Sequence, residues 1–182
     1  AVEYSWQNDA RISNNSWGGG GYSQALYDAI DAAGNAGQLF VAAAGNNGSN
    51  NDTLPFYPAS YDLPNILTVA ASDHNDERAG FSNYGQTTVD LAAPGADILS
   101  TLPNGSYGQL SGTSMAAPQV SGVAALLLAQ NPGMGFAQLK QAILNNVDKL
   151  EQWEGLVLTG GRLNAARAVG GRGAPSLYVT FN

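Results

Sequence analysis

The run Leu39-Phe40-Val41-Ala42-Ala43-Ala44 carries no polar side chain and lies between Gly37 and Gly45. A half-buried strand alternates apolar and polar residues. An unbroken apolar run of this length, bounded by glycines, predicts a strand covered on both faces, as in a parallel sheet between layers of helices. Asn65-Ile66-Leu67-Thr68-Val69-Ala70-Ala71 repeats the pattern, and Thr88–Ala93 gives a further strand stopped by Pro94-Gly95. Ala10–Asn14 reads as a shorter strand. The fold class that follows is α/β, three layers, with a mostly parallel sheet between flanking helices.

The helices fit between these strands. Ala1–Asn8 reads as the end of a helix, so the chain opens inside an element rather than before one. Ser23 is a predicted N-cap for a helix over Gln24–Asn35, with Ala25, Leu26, Ala29, Ile30 and Ala33 at helical spacing and Gly37 ending it. Gly18–Gly21, four consecutive glycines, form a loop that lets another backbone come close. Gly48–Pro55 is a predicted surface loop, and Ile98–Leu102 with Tyr107–Leu110 a hairpin across Asn104-Gly105. Met115–Ala129 has almost no charge and predicts a helix buried on most sides, with Pro118 in its first turn. After Asn131-Pro132-Gly133, Phe136–Val147 forms an amphipathic helix and Gly160–Val169 a final short one. Residues 1–170 read as one unit, and 171–182 as a tail or an added strand at Leu177–Phe181.

Composition narrows the function classes. The net charge is -7 without a basic cluster, which disfavours nucleic acid and anionic membrane surfaces as partners. No apolar run reaches membrane-spanning length. The chain has no cysteine, so disulfides are excluded.

The chemistry centres on Ser111-Gly112-Thr113-Ser114-Met115-Ala116-Ala117-Pro118. Ser114 falls at a helix N-terminus, where free N–H groups and the positive end of the dipole favour developing negative charge. It is a candidate nucleophile; the structural alternative is that Thr113 or Ser114 merely caps the helix. Asn46 follows the glycine that closes a buried strand, the end of an α/β sheet where ligands bind. It is either an oxyanion donor or an ordinary turn residue in Gly45-Asn46-Asn47-Gly48.

Gly112–Pro118 resembles the nucleophile motif of the subtilisin-like serine proteases, the subtilases. Asn14–Gly19, Val41–Gly48, Tyr57–Tyr61, and Phe81–Gly85 followed by Asp90–Gly95 also resemble segments of that family, in the same chain order. The resemblance spans residues 1 to about 170 and implies a subtilisin-like fold. By resemblance Ser114 is the acylated serine and Asn46 the side-chain donor to the oxyanion. Ser16, Trp17 and Gly18 would bind an extended peptide substrate along one wall, with Ala43, Ala44 and Gly45 opposite; Phe56 is a candidate floor or a simple core aromatic. Asp90, with carbonyls near Ala59 and Tyr61, falls where some members hold structural calcium or sodium; otherwise it is a solvated carboxylate. No cofactor is needed for the chemistry itself.

What the resemblance lacks is equally informative. The family's Asp-x-Gly and His-Gly-x-His motifs, which supply the orienting carboxylate and the base, are absent, and the single histidine, His74, sits in a polar turn. The expectation is therefore the C-terminal portion of a catalytic domain, its N-terminal strands missing. It would be part of a secreted serine endopeptidase acting on polypeptides and inactive alone. Its partners would be the missing segment or a second copy of the chain. The alternative is a non-catalytic subtilase-like module that binds peptides or assembles with itself.

Overall fold

In the computed structural model residues 1–170 are described; the reading of 171–182 as a tail or strand lies outside them. The elements run α1 (Val2–Gln7), β1 (Ile12–Asn15), α2 (Gln24–Asn35), β2 (Leu39–Ala43), β3 (Ile66–Ser72), β4 (Leu91–Pro94), β5 (Ile98–Leu102), β6 (Ser106–Leu110), α3 (Thr113–Gln130), α4 (Phe136–Leu144), β7 (Asp148–Lys149), β8 (Gly161–Arg162) and α5 (Ala165–Ala168). Six strands form one sheet in the order β1-β2-β3-β4-β8-β7. The first five run parallel and only β7 is antiparallel. The three-layer α/β expectation holds.

Alternation along β2 builds the layers. Leu39, Val41 and Ala43 join the core under α3 and α4, with Ala116, Ala117, Val120, Leu139 and Ile143. Phe40 and Ala42 point the other way, into a core with Ile30 of α2 and Tyr61. Every residue of β2 and β3 is buried, which is why β2 reads as a continuous apolar run and β3 as one interrupted only by Thr68 before Ser72 ends it. Each fully buried Leu, Ile or Val contributes about 1.5–3 kcal/mol. The α2 boundaries fall where the spacing predicts, and Ser23 Oγ accepts from Leu26 N as the cap.

Several expectations need correction. α3 is buried along one face only, through Thr113, Ala116, Ala117, Val120, Val123, Ala124 and Leu127. Its outer face is mostly small residues, and Leu126 there is 54% exposed. The helix begins at Thr113, so Pro118 stands in its second turn, not its first. α4 stops at Leu144, short of Val147. Gly161–Arg162 is strand β8, inserted beside β4, and helix starts only at Ala165, capped by Asn164. A two-residue strand is too short to leave a periodic signal. Among the described residues β1 pairs only with β2, so its other edge carries unpaired backbone groups.

Candidate active site

The carboxyl ends of β1 and β2 meet the N-terminus of α3. Between them opens a cleft of about 340 Å³ whose lining includes Ser16, Trp17, Gly18, Ala43, Gly45, Asn46, Phe56 and Ser114. Seven of the eight site residues expected around a substrate thus surround one space.

The exception is Ala44. It follows Ala43 across the strand and faces the opposite side, packed with Ala70, Val89, Ala92 and Trp153. Its amide donates to Val69 O, and its carbonyl accepts from Asn51 Nδ2 (2.9 Å) and Asn83 Nδ2 (3.1 Å). Neither its side chain nor its backbone is free to form a cleft wall.

Asn46 is held by Thr113. Its Oδ1 accepts from Thr113 N and Thr113 Oγ1, both at 2.9 Å. The cap of α3 therefore comes from Asn46, across the cleft; the residue before the helix is Gly112, which has no side chain to cap with. Neither Thr113 nor Ser114 caps the helix. With Oδ1 committed, the Nδ2 donor faces the cleft side. A methyl group built on Gly112 would lie 3.4 Å from Asn46 Nδ2 and 3.6 Å from Ser114 N. These two donors thus converge on the space above Gly112, and no acceptor among the described residues takes the Ser114 N–H. Two unpaired donors at a helix N-terminus form a site for an oxyanion.

Ser114 is half-buried, and its Oγ donates to Ser16 O at 3.2 Å. The cleft lining includes no carboxylate, imidazole or ammonium. His74 is exposed in the turn after β3 and does not line it. Among the described residues, the hydroxyl thus has two open N–H donors near it but no acid-base side chain in the cleft lining.

Sequence reasoning missed the residues that hold the Asn46 loop. Thr113 is fully buried, and its Oγ1 also accepts from Gly45 N at 3.2 Å. Asn83 Oδ1 accepts from Asn47 N (2.8 Å) and Ser49 N (3.1 Å), and its Nδ2 donates to Asn51 Oδ1 (3.0 Å). Asn83 and Asn51 are each 1% exposed. An asparagine reads as a surface turn residue, so burial was invisible in the pattern; Asn51 lies inside the stretch expected to be a surface loop. Gly45 has φ 112° and its α-carbon lies against Asn83 and Phe56, so no side chain fits there. Gly18 packs against Phe56 and Tyr57 O in the same way, while Trp17 stands edge-on to Phe40 with centroids 6.4 Å apart.

Asp90 lies in a separate pocket and does not fit a metal ion. Its carboxylate is 3.2 Å from Lys140 Nζ and accepts from Thr68 N at 2.7 Å. Lys140 also donates to Ile66 O. Ala59 O and Tyr61 O, the carbonyls expected to complete a cation site, accept from Thr68 Oγ1 (2.9 Å) and Leu63 N (3.0 Å). The positive charge beside the Asp90 carboxylate is thus the chain's own Lys140 ammonium. Burial pushes the Asp90 pKa up, against the opposing pull of Lys140 and the Thr68 N–H. Among the described residues no group of three or more His, Cys, Asp or Glu side chains could hold a metal, and no helix is long and apolar enough to cross a membrane.

Comparison with known proteins agrees with this fold. The solved structure of the prenylagaramide maturation protease PagA superposes with a TM-score of 0.80 at 35% identity, covering 93% of this chain and 64% of that one. Thermitase of Thermoactinomyces vulgaris is 43% identical over 92% of this chain and 57% of its own length. The thermophilic serine proteinase of Bacillus sp. (strain AK1) is 43% identical over 93% of this chain and 40% of its own length. The chain thus spans about half the length of these two relatives. The model of the subtilase family matches residues 1–169, and the chain belongs to that family.

Proposed function

We propose that the protein is the serine-bearing part of a serine endopeptidase that cleaves polypeptides through an acyl-enzyme on Ser114. The observation that carries this reading is the convergence of Asn46 Nδ2 and Ser114 N on the space above Gly112, beside the Ser114 side chain. In the reaction the Ser114 oxygen attacks the peptide carbonyl, the hydroxyl proton passes to a base and then to the leaving amine, and the two donors hold the oxyanion. Water then releases the acyl group by the same route. Ser16, Trp17 and Gly18 on one wall, with Ala43 and Gly45 on the other, line the cleft for an extended substrate.

The base and its orienting carboxylate come from a segment outside these 182 residues, laid against the free edge of β1. Two features support this: the cleft lining lacks any proton acceptor of suitable basicity, and among the described residues one side of β1 pairs with no strand. Without those groups Ser114 keeps the pKa of an ordinary alcohol and is a weak nucleophile. Secretion is inferred from the family alone.

The test is labelling by a fluorophosphonate. The chain by itself should label negligibly at Ser114. It should label readily once combined with a preceding segment that carries Asp-x-Gly and His-Gly-x-His, and Ser114→Ala should abolish the signal. Rapid labelling of the chain alone would overturn the account of the missing base. Absence of labelling in the folded combination would leave the non-catalytic, peptide-binding reading in its place.

A further inference from the structure

Pro118 opens a gap in the hydrogen-bond ladder of α3. In an α-helix the amide of residue i+4 closes on the carbonyl of residue i. For Ser114 that amide belongs to position 118, and proline has none. The Ser114 carbonyl instead accepts from Ser16 Oγ at 2.8 Å, a side chain that comes from the end of β1 and not from the helix.

The hydroxyl that fills the gap is itself oriented. Asn14 Nδ2 donates to Ser16 Oγ at 2.9 Å, which leaves the single hydroxyl proton of Ser16 for the Ser114 carbonyl. Asn14 Oδ1 in turn lies 3.0 Å from Ser121 Oγ, whose single proton is shared between it and Ala117 O at 3.2 Å. Ser114 and Ser121 are seven residues apart, two turns along one face of α3. Asn14 and Ser16 are two residues apart and bond to the same helix. Two points on the strand end are thus pinned to two points on the helix, one of them the peptide group of Ser114.

We propose that Asn14, Ser16 and Ser121 form a polar clip that positions the serine, and that Pro118 is what frees the carbonyl the clip grips. The clip fixes the Ser114 backbone relative to β1, and hence the direction of its Oγ and the spacing between the two walls of the cleft. Asn14 and Ser16 act through their side chains as positioning residues: those side chains touch no reacting atom, while the Ser16 carbonyl separately accepts from Ser114 Oγ. The proposal rests on the reading of Ser114 as the nucleophile.

A double-mutant cycle tests it. Pro118→Ala returns an amide to the position facing the Ser114 carbonyl, so the Ser16 hydroxyl becomes redundant. In the complete, active protein Ser16→Ala should lower kcat about tenfold with KM little changed, the size of one lost hydrogen bond expressed as a rate. Ser16→Thr, which keeps the hydroxyl, should recover most of that loss. In the Pro118→Ala background Ser16→Ala should cost less than about twofold. Amide hydrogen exchange over Ser114–Val120 reads the same cycle without any activity: Ser16→Ala should speed exchange when residue 118 is proline and not when it is alanine. An unchanged kcat in Ser16→Ala, a loss confined to KM, or an equal loss in both backgrounds would overturn the clip. If Ser114 never labels with the fluorophosphonate while the exchange cycle shows the expected coupling, the clip stands as a packing device. In that case the assignment of the nucleophile is what fails, and the positioning role fails with it.

Discussion

Two polar pockets open beside one sheet, and they treat their hydrogen-bonding groups in opposite ways. In the Asp90 pocket each named group is answered within the chain: the carboxylate by Lys140 and Thr68 N, and the Ala59 carbonyl by Thr68 Oγ1. In the Ser114 cleft, Asn46 Nδ2 and Ser114 N are left facing the space above Gly112. A satisfied network rigidifies a fold, whereas donors left open, on a scaffold that holds them still, are prepared for a charge that arrives from outside. The sequence suggested a ligand at both places. Of the two, the Ser114 cleft is the one with donors left open among the described residues.

The sharpest way to separate the two pockets is to remove one partner from each. Lys140→Met strands a buried carboxylate and should cost about 3 kcal/mol or more in urea unfolding at neutral pH, with the cleft's chemistry unaffected. The sign with pH is set by Asp90, whose folded-state pKa is already raised by burial and rises further without Lys140. Its protonated form favours folding, so the deficit should shrink as pH falls through that raised value and grow as pH rises through it. A deficit independent of pH would mean that Asp90 is not the stranded group.

Asn46→Asp makes the converse change. It keeps the Oδ1 acceptor that caps α3 and removes the Nδ2 donor. In the complete enzyme, kcat should fall by about 10²–10³, the range known for losing one oxyanion donor in subtilisin, with unfolding almost unchanged. Asn46→Ala should lose the cap as well, adding about 1 kcal/mol of instability. Equal instability in both variants would collapse the distinction between a poised donor and a structural one.

Thr113→Val tests whether the cleft's support behaves like the satisfied pocket. It removes the hydroxyl that bonds Asn46 Oδ1 and accepts from Gly45 N, both in a fully buried setting. Expect about 1–3 kcal/mol of instability, together with a loss of rate as the Asn46 amide loosens. The smallest effect belongs to Asp52→Asn. Desolvation raises the Asp52 pKa, but hydrogen bonds from the hydroxyls and amides of Thr87 and Thr88 outweigh it and hold the carboxyl below its ordinary value of 3.8. Its stabilising contribution is therefore present above that ordinary value and lost as pH falls through the lower one. The variant's unfolding midpoint should lose part of this acid dependence, a modest change at an exposed site.

The layers of the fold were legible because burial on both faces leaves a simple mark: β2 is an unbroken apolar run, β3 is apolar but for Thr68 and Ser72, and α2 carries its cap and its stripe in sequence. Local chemistry marked Ser114 and Asn46 as candidates, since both sit where a strand or helix ends, and left a cap and a turn residue as alternatives; the resemblance chose between them. What escaped was whatever depends on a partner distant in sequence. Asn83 and Asn51 look like turn residues and are buried struts. Ala44 was grouped with Ala43 although their side chains leave the strand on opposite sides. Lys140 lies 50 positions beyond the carboxylate it neutralises, so Asp90 read as a cation ligand or a solvated group. The smooth apolar composition of α3 concealed which side faces out, because alanine and glycine are nearly silent about burial.

The strict up-and-down order of β2 has a practical corollary for altering this protein's length. Removing or adding one residue between Gly37 and Asn46 would rotate everything after the change by half a turn. The side chains under α3 and those under α2 would exchange places, and the Asn46 amide would be delivered to the wrong side of the sheet. The spacing there is as much a part of the candidate site as the asparagine itself. Gly19–Gly21, which border open space, are where the chain can grow or shrink without that penalty.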